Sequence, residues 1–237
     1  EKYPSIKIII QENIGMGAAN NKGIKICETD YAFVINPDIK FEKDTIDKII
    51  DFSIIENDYA ILAPMSDDDN HPNYNIKNKK LINHELKYLN VDSVDGFAML
   101  INKKKFKDDY YFDENFFLYL ENEDLCLRKK KEGENIYVLK MAKINHLGGK
   151  SSSKIYSEEI EYSRNWHWMW SKFYFNKKHY GYLYSLTKVF SNLISAKVKF
   201  FYYLLIFNSY KRKIYMMRYL GLINSMIGKK SWYRPKI

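Results

Sequence analysis

The chain has 237 residues and a mass of 28.4 kDa, which is enough for one substantial hydrophobic core in one domain or two. Hydrophobic residues make up 46% of it and aromatic residues 16%, which excludes intrinsic disorder for most of the chain. The net charge of +9 is unevenly divided, because residues 151–237 hold 16 Lys and Arg against three Asp and Glu, whereas residues 1–150 are net acidic.

The first 63 residues predict strands and helices in alternation. Short apolar runs alternate with stretches whose apolar residues recur at helical spacing. This β-α-β-α-β order is typical of a mainly parallel sheet flanked by helices, so we predict an α/β fold. The predicted elements are a strand at 6–10, a helix that follows Gly15 and ends near Cys27, a strand at 31–35, a helix from Asp44 and a strand at 59–63.

The middle of the chain is less regular. Residues 65–90 contain three consecutive aspartates, Asp67 to Asp69, and few periodic apolar positions, which predicts an irregular excursion with a solvated acidic loop. After it come a predicted strand at 94–101, an amphipathic helix at 121–131 and a strand at 136–139.

Beyond residue 153 the sequence becomes helical, basic and aromatic. Residues 156–180 and 183–232 both show helical patterns with many tyrosines and lysines. In the second segment, apolar residues at 194, 198, 201 and 205 recur at helical spacing. We therefore predict an α/β domain over residues 1–153 and a helical extension over residues 154–237.

Two groups of polar residues are candidates for chemistry. Asn36-Pro37-Asp38 ends the predicted strand at 31–35, and strand ends of open α/β sheets line ligand crevices. Further on, an aromatic run leads into an acidic cluster at the start of the 121–131 helix, and His146 follows after one more strand. This order favours a sugar-transfer site, although Asn36–Asp38 could form only a turn, and acids in a first helical turn also favour the helix dipole.

Five segments together resemble the family 2 glycosyltransferases, and in particular the rhamnosyltransferase-like branch. They occur in the family's order over about residues 5–152. The resemblance implies a GT-A-like catalytic domain that transfers sugar with inversion from a nucleotide-diphosphate donor to a saccharide or lipid-linked acceptor in cell-envelope polysaccharide synthesis. Because the chain starts at what matches the family's third element, we expect one βαβ unit, on the order of 40 to 50 residues, to be missing. The five segments are residues 13–24, 36–38, 94–100, 112–124 and 146–151.

The resemblance also implies a divalent cation, Mg²⁺ or Mn²⁺, which prefers carboxylate oxygen and takes few protein ligands. Asp38 matches the family's metal-binding aspartate, with Asn36 in place of the leading acid of the commoner motif. His146 matches the downstream histidine that reaches the metal or the diphosphate. The residues expected on the cofactor side, next to the donor, are Asn13, Gly15, Asn21 and Asn36.

The position of the family's catalytic base holds Asn122, whose amide cannot accept a proton in this role. Of the neighbouring acids we favour Glu121 as the base, because Glu121 and Asp124 share a helical face. Three alternatives stay open: Glu123 acts as the base, the acceptor is activated in another way, or this copy is slow or inactive. Asp124 also stands four residues before Arg128 and could brace the helix.

Candidate contacts to the acceptor lie in a loop of the α/β domain and in the helical extension. In the family the loop that holds Asp95 and Gly96 faces the acceptor, although a simple turn before a strand is equally compatible. Trp166 lies in a tryptophan-rich, basic segment and is a further candidate substrate contact. This segment suits an anionic membrane surface that carries a lipid-linked acceptor, or else a helical lid on the catalytic domain.

Two other functional classes remain in view. A nucleic-acid-binding protein is not expected, because the basic extension carries no recognised motif and the rest of the chain is net acidic. A non-catalytic or truncated relative that only binds glycan or a partner would agree with Asn122.

The two isolated cysteines predict a reducing, cytoplasmic location, with the inner face of the membrane as an alternative. Lysines interrupt the apolar segment 183–207, so we predict that it lies on a surface rather than crossing a bilayer.

Overall fold

The computed structural model describes residues 6–68, 71–77, 86–146 and 156–235. They form an α/β part followed by three long helices. Asp69, Gly148, Gly149 and the predicted domain boundary at residues 153/154 lie outside the described residues. The elements are α1 (Met16–Ile26), β1 (Tyr31–Ile35), β2 (Ile39–Phe41), α2 (Thr45–Ile55), β3 (Ile61–Ser66), β4 (Tyr74–Asn75), β5 (Tyr88–Asn90), β6 (Ser93–Val94), β7 (Ala98–Asn102), α3 (Glu121–Lys131), β8 (Ile136–His146), α4 (Ser157–Tyr180), α5 (Tyr182–Leu205) and α6 (Ser209–Met226).

The main sheet has the strand order β1-β7-β3-β8-β2, and β5 also pairs with β8. The α/β class and the helical extension are confirmed, but the pairing is mixed rather than mainly parallel. β3 and β8 pair in parallel, whereas the other ladders of this sheet are antiparallel. β1 and β3 do run in the same direction, as the β-α-β pattern requires, but β7 inserts between them and is antiparallel to both. The sequence pattern gave no information on the direction of this inserted strand.

The core of the α/β part lies along the three central strands. Ile61 and Leu62 of β3, Met99 of β7 and Val138 of β8 are completely buried. Side chains that point to opposite faces of these strands are buried alike, since residues on both sides cover the sheet. In β3, β7 and the first part of β8, burial therefore continues along the strand with little alternation, whereas it alternates toward the end of β8.

The predicted helices at α1, α2, α3 and α4 and the strand β1 are present, but three predictions were wrong in detail. Residues 6–15 contain no strand, and Ile8 and Ile10 are 79% and 93% exposed, because no described strand pairs with this segment. The irregular excursion contains β4 and β5, which were too short to recognise. The second helical segment breaks after α5, where Phe207 has a φ of 55° and the Asn208 side chain accepts a hydrogen bond from the N–H of Lys211.

The extension packs as three helices around two clusters of aromatic and aliphatic side chains, and α4 contacts the α/β part directly. One cluster includes Trp166 and Met217, and the other includes Phe173 and Leu222. On α4, the Ser171 hydroxyl donates a 2.8 Å hydrogen bond to the carbonyl oxygen of Leu118. In the described part of the chain, no helix has the length and hydropathy needed to span a membrane.

We expect alanine substitutions at two helical glycines to change the stability of the protein in opposite directions. A Cβ on Gly221 of α6 would overlap the backbone oxygen of Trp166 on α4, so we expect Gly221→Ala to destabilise the protein by about 1–3 kcal/mol. A Cβ on Gly23 of α1 would meet nothing within 4 Å, so Gly23→Ala should stabilise it by roughly 0.5–1 kcal/mol. Urea denaturation checks both. A Gly221→Ala variant as stable as wild type would contradict the close contact between α4 and α6.

Candidate active site

A cleft of about 650 Å³ lies between the α/β part and the start of α4. Its walls are formed by the segment that follows β1, the end of β8, the first turn of α1, the turn before α3 and one face of α4. Five of the residues predicted from the sequence line it: Asn13, Gly15, Asn36, Asp38 and His146. The other lining residues are Met16, Ala19, Phe117, Leu118, Tyr119, Ile160, Ser163, Arg164 and Pro235.

Asp38 and His146 are adjacent although more than a hundred residues separate them. Asp38 Oδ1 lies 3.4 Å from His146 Nε2. The sheet explains the contact, because β2 starts directly after Asp38 and pairs with the end of β8, placing Ile39 opposite His146. The ring of Phe97 stacks on the ring of His146 with centroids 4.3 Å apart. The backbone carbonyl oxygen of Phe97 accepts a 2.9 Å hydrogen bond from the backbone N–H of Asn36.

This pair has the composition of a partial site for a divalent cation. It offers one carboxylate oxygen and one imidazole nitrogen at the same edge of the cleft. The described residues contain no group of three His, Cys, Asp or Glu side chains that could hold a metal. Mg²⁺ and Mn²⁺ favour carboxylate and phosphate oxygens, and Mg²⁺ usually keeps several waters, so Asp38 suits either ion. The imidazole of His146 suits a transition-metal ion better than Mg²⁺.

The first turn of α1 forms one wall of the cleft. Gly15 precedes the helix with a φ of 103°, and a Cβ there would lie 2.8 Å from the carbonyl oxygen of Phe117. Asn13 Oδ1 accepts a 3.2 Å hydrogen bond from the N–H of Gly15, and the N–H of Met16 donates to Phe117 at 3.1 Å. The positive end of the helix dipole therefore lies at the cleft, where it favours a negatively charged ligand.

Tyr119 and Arg164 are cleft residues that the sequence analysis missed. Tyr119 and Leu120 have consecutive positive φ angles of 70° and 67°, a strained conformation that directs the chain into α3. Burial raises the pKa of Tyr119, and the nearby Arg164 opposes this effect. Arg164 is exposed and forms no ion pair with a described residue, so its guanidinium can meet an anion. No sequence spacing could have located it, because only the packing of α4 brings it to the cleft.

The loop that holds Asp95 and Gly96, which we predicted to face the acceptor, lies beside Asn122. A Cβ on Gly96 would lie 3.3 Å from Cβ of Asn122. The Asn122 side chain donates a 2.9 Å hydrogen bond to the carbonyl oxygen of Val94, so its amide supports the loop. Solvent reaches Asp95, yet enough protein surrounds its carboxyl for desolvation to raise its pKa, an effect that His146 opposes. Glu123 accepts a 3.1 Å hydrogen bond from the hydroxyl of Ser93.

Glu121, the favoured base in the sequence analysis, is enclosed in the protein. It is 1% exposed and does not line the cleft. Neither of its carboxyl oxygens has a hydrogen-bond partner among the described residues. Burial raises its pKa to about 7. The helical face shared with Asp124 therefore turns into the protein rather than toward the cleft.

The raised pKa of Glu121 predicts a pH-dependent stability. The folded state holds the proton up to about pH 7, whereas the carboxyl's ordinary pKa is 4.5, so stability should fall as the pH rises between these values. We expect Glu121→Gln to remove this decrease and to stabilise the protein at pH 8 by on the order of 3 kcal/mol. Urea titrations from pH 4.5 to 8 test this, with exposed Glu42→Gln as the control. Parallel pH curves for the Glu121→Gln variant and wild type would contradict the expectation.

Asp124 braces α3 against the end of α4. Its buried carboxylate lies 2.9 Å from Nε of Arg128, 2.7 Å from Nζ of Lys178 and 2.8 Å from Nε2 of His179. The catalytic assignment from the sequence analysis does not agree with this position, because Asp124 does not line the cleft and three cationic or titratable groups occupy its oxygens.

Removing the Asp124 carboxylate should therefore affect stability strongly. Asp124→Ala would leave Arg128 without its buried counter-charge and would leave Lys178 with Asp113 as its remaining ion-pair partner, and breaking a buried pair in this way costs about 3–5 kcal/mol. The matched control is Asp30→Ala, which breaks an exposed ion pair with Lys104 and should change stability little. Denaturant midpoints report both effects. Equal midpoints for the two variants would argue against the buried network.

Two further predicted contacts lie away from the cleft. The buried Asn21 amide donates 2.9 Å hydrogen bonds to the carbonyl oxygen of Phe112 and to Glu114, and it accepts one from the N–H of Phe112. These bonds use the amide to hold α1 to the 112–114 segment. Trp166 is completely buried and packs against Tyr233 in the helical extension, so it has no surface to offer a substrate.

Comparison with known proteins relates the first part of the chain to sugar-transferring enzymes. Residues 1–109, which include Asp38 and the loop that holds Asp95 and Gly96, match the family described as glycosyl transferase family 2. This match covers 109 of the 237 residues. The chain is also similar to the low-salt glycan biosynthesis hexosyltransferase Agl10 of Haloferax volcanii, with 26% identity over 143 residues. The alignment covers 52% of this chain and 46% of that relative, so the chain spans about half the length of the relative it matches. His146 and Arg164 lie beyond the family 2 region.

Proposed function

We propose that this protein is an inverting glycosyltransferase that moves a sugar, of hexosyl or deoxyhexosyl type, from a nucleotide-diphosphate donor to a saccharide or lipid-linked acceptor. We place it in cell-envelope polysaccharide synthesis, in the cytoplasm or on the inner face of the membrane. The observation that carries the proposal is the contact between Asp38 and His146 in one cleft with the start of α1. The match of residues 1–109 to family 2 and the similarity to a hexosyltransferase support it.

The donor diphosphate would lie against the positive side of the cleft. The first turn of α1 and the guanidinium of Arg164 both favour the negative charge that develops on the leaving group. Asn13, Gly15 and Asn36 would contact the donor, and Asp38 with His146 would hold a divalent cation. Such a cation, when bound, supplies additional charge neutralisation at the diphosphate.

The transfer itself is a single displacement at the anomeric carbon. The acceptor hydroxyl oxygen forms the new bond as the bond between the anomeric carbon and the phosphate oxygen breaks, and a base takes the hydroxyl proton. We propose Asp95 as this base. Asp95 does not line the cleft itself, but its carboxyl is reached by solvent, its loop adjoins Asn122, and it interacts electrostatically with His146, which does line the cleft. Glu121 is enclosed and Glu123 is hydrogen-bonded to Ser93, so neither is as well placed.

A second candidate is a relative that binds nucleotide sugar or glycan without transferring it. The observation in its favour is that an amide stands at the position of the family's base and is committed to the carbonyl oxygen of Val94. This candidate uses the same cleft but needs no proton acceptor.

One experiment separates the two. A panel of nucleotide sugars is incubated with the protein, with and without Mn²⁺, and both hydrolysis and calorimetric binding are measured. Hydrolysis that requires Mn²⁺ supports the transferase. Binding without hydrolysis supports the second candidate, and the absence of both would overturn the assignment of the cleft.

A further inference from the structure

Helix α5 has an apolar stripe that faces away from the protein. Leu183, Phe190, Val198 and Leu205 are 77%, 62%, 59% and 75% exposed, and Ile194 and Phe201 are about half exposed. With about 100° of rotation per residue, these six side chains fall within roughly 80° of the helix circumference. They form one continuous strip along nearly the whole 24-residue helix. We call it the α5 stripe.

The fold uses the opposite face of α5. Ser185, Val189 and Ala196 are buried where α5 packs against its two neighbouring helices. None of the described residues buries the α5 stripe. An exposed apolar surface of this length is unusual on a protein that stays in water, and it indicates a binding surface.

The charges around the stripe indicate what covers it. Residues 182–237 contain eleven Lys and Arg and no Asp or Glu. Lys188, Lys197 and Lys199 lie on α5 itself, and Tyr184 and Tyr202 lie along one flank of the stripe. A second copy of this chain docked on the stripe would bring like charges together. An anionic bilayer offers both acyl chains for the stripe and negative headgroups for the lysines, with tyrosine rings at the headgroup level.

We propose that α5 lies in the plane of an anionic membrane surface, with the α5 stripe inserted at the boundary between headgroups and acyl chains. This inference deepens the proposed function, because it names the surface that would hold the protein on the membrane, and it rests on α5 rather than on the cleft. The two proposals support each other where the acceptor is lipid-linked, because α5 would keep the cleft close to the lipid surface.

Flotation with lipid vesicles tests the proposal. The protein should float with vesicles of phosphatidylcholine containing phosphatidylglycerol, less so with phosphatidylcholine alone, and less as salt is raised. Val198→Glu combined with Leu205→Glu should weaken binding at least tenfold, because two inserted side chains are lost. The matched control is Ile50→Glu combined with Ile54→Glu on α2, where both residues are also exposed, and this variant should bind as wild type does.

Three outcomes would overturn the proposal: no flotation of wild-type protein, equal flotation of both double variants, or a concentration-dependent dimer that the α5 variant alone disrupts without any vesicle binding. Hydrolysis of soluble nucleotide sugar is measured on the same samples. An α5 variant that loses flotation and keeps hydrolysis separates the membrane surface from the proposed catalytic function.

Discussion

Asp38→Asn is expected to lower Mn²⁺-dependent turnover of nucleotide sugar by about a hundredfold or more. The substitution keeps the shape of the side chain but removes the negative charge next to His146. A carboxylate binds a hard divalent cation much better than an amide does, so the variant should also bind Mn²⁺ weakly. Loss of charge stabilisation at a leaving group typically costs about 10²–10³-fold in rate.

The control for this prediction is Glu123→Gln. Its side chain keeps its size and its position next to Ser93, and it lies outside the cleft lining. We expect this variant to keep most of the turnover and all of the Mn²⁺ binding. Mn²⁺ titration and nucleotide-sugar hydrolysis are measured in parallel on both proteins. Wild-type activity in the Asp38→Asn variant would remove Asp38 from the donor site.

The contact between Asp38 and His146 shows what could be predicted from the sequence. Each residue stands at the end of an apolar run, and the resemblance to a family placed both at the same ligand. The structure supplies the physical link, because β2 and the end of β8 form an antiparallel ladder directly at these residues. The α/β class could also be predicted, because it depends on apolar runs that form buried strands. These runs look the same in the sequence whichever strand lies between two others in the sheet.

The predictions that differ from the structure depended on packing between distant elements. The i, i+3 spacing correctly placed Glu121 and Asp124 on one face of α3, but spacing cannot tell whether that face meets the cleft or α4. Trp166 and Trp168 occur in the same basic segment, yet the first is completely buried and the second is 43% exposed. Only the docking of α4 decides which of the two is accessible, and the same docking brings Arg164 into the cleft.

Asp95→Asn is expected to lower kcat by about 10²–10⁴-fold with a smaller effect on KM, because an amide cannot accept the proton of the acceptor hydroxyl. Desolvation raises the pKa of Asp95, so the rate in wild-type protein should increase as the pH rises through that value, and the variant should lose this dependence. Steady-state transfer to an acceptor, measured across pH, tests both expectations. Glu121→Gln is the matched control and should keep most of the activity, since its carboxyl is enclosed in the protein whereas that of Asp95 is exposed.

A second substitution distinguishes a base from a structural residue. Asn122 adjoins Gly96, so Asn122→Asp would place a carboxylate next to the acceptor loop at the position where the family has its base. In the Asp95→Asn background this change should restore part of the lost kcat if the missing function is proton transfer. It should restore nothing if Asp95 only shapes the loop, because an aspartate at position 122 would also give up the hydrogen bond that Asn122 donates to Val94. A full loss of activity in Glu121→Gln, together with normal activity in Asp95→Asn, would instead return the role of base to Glu121.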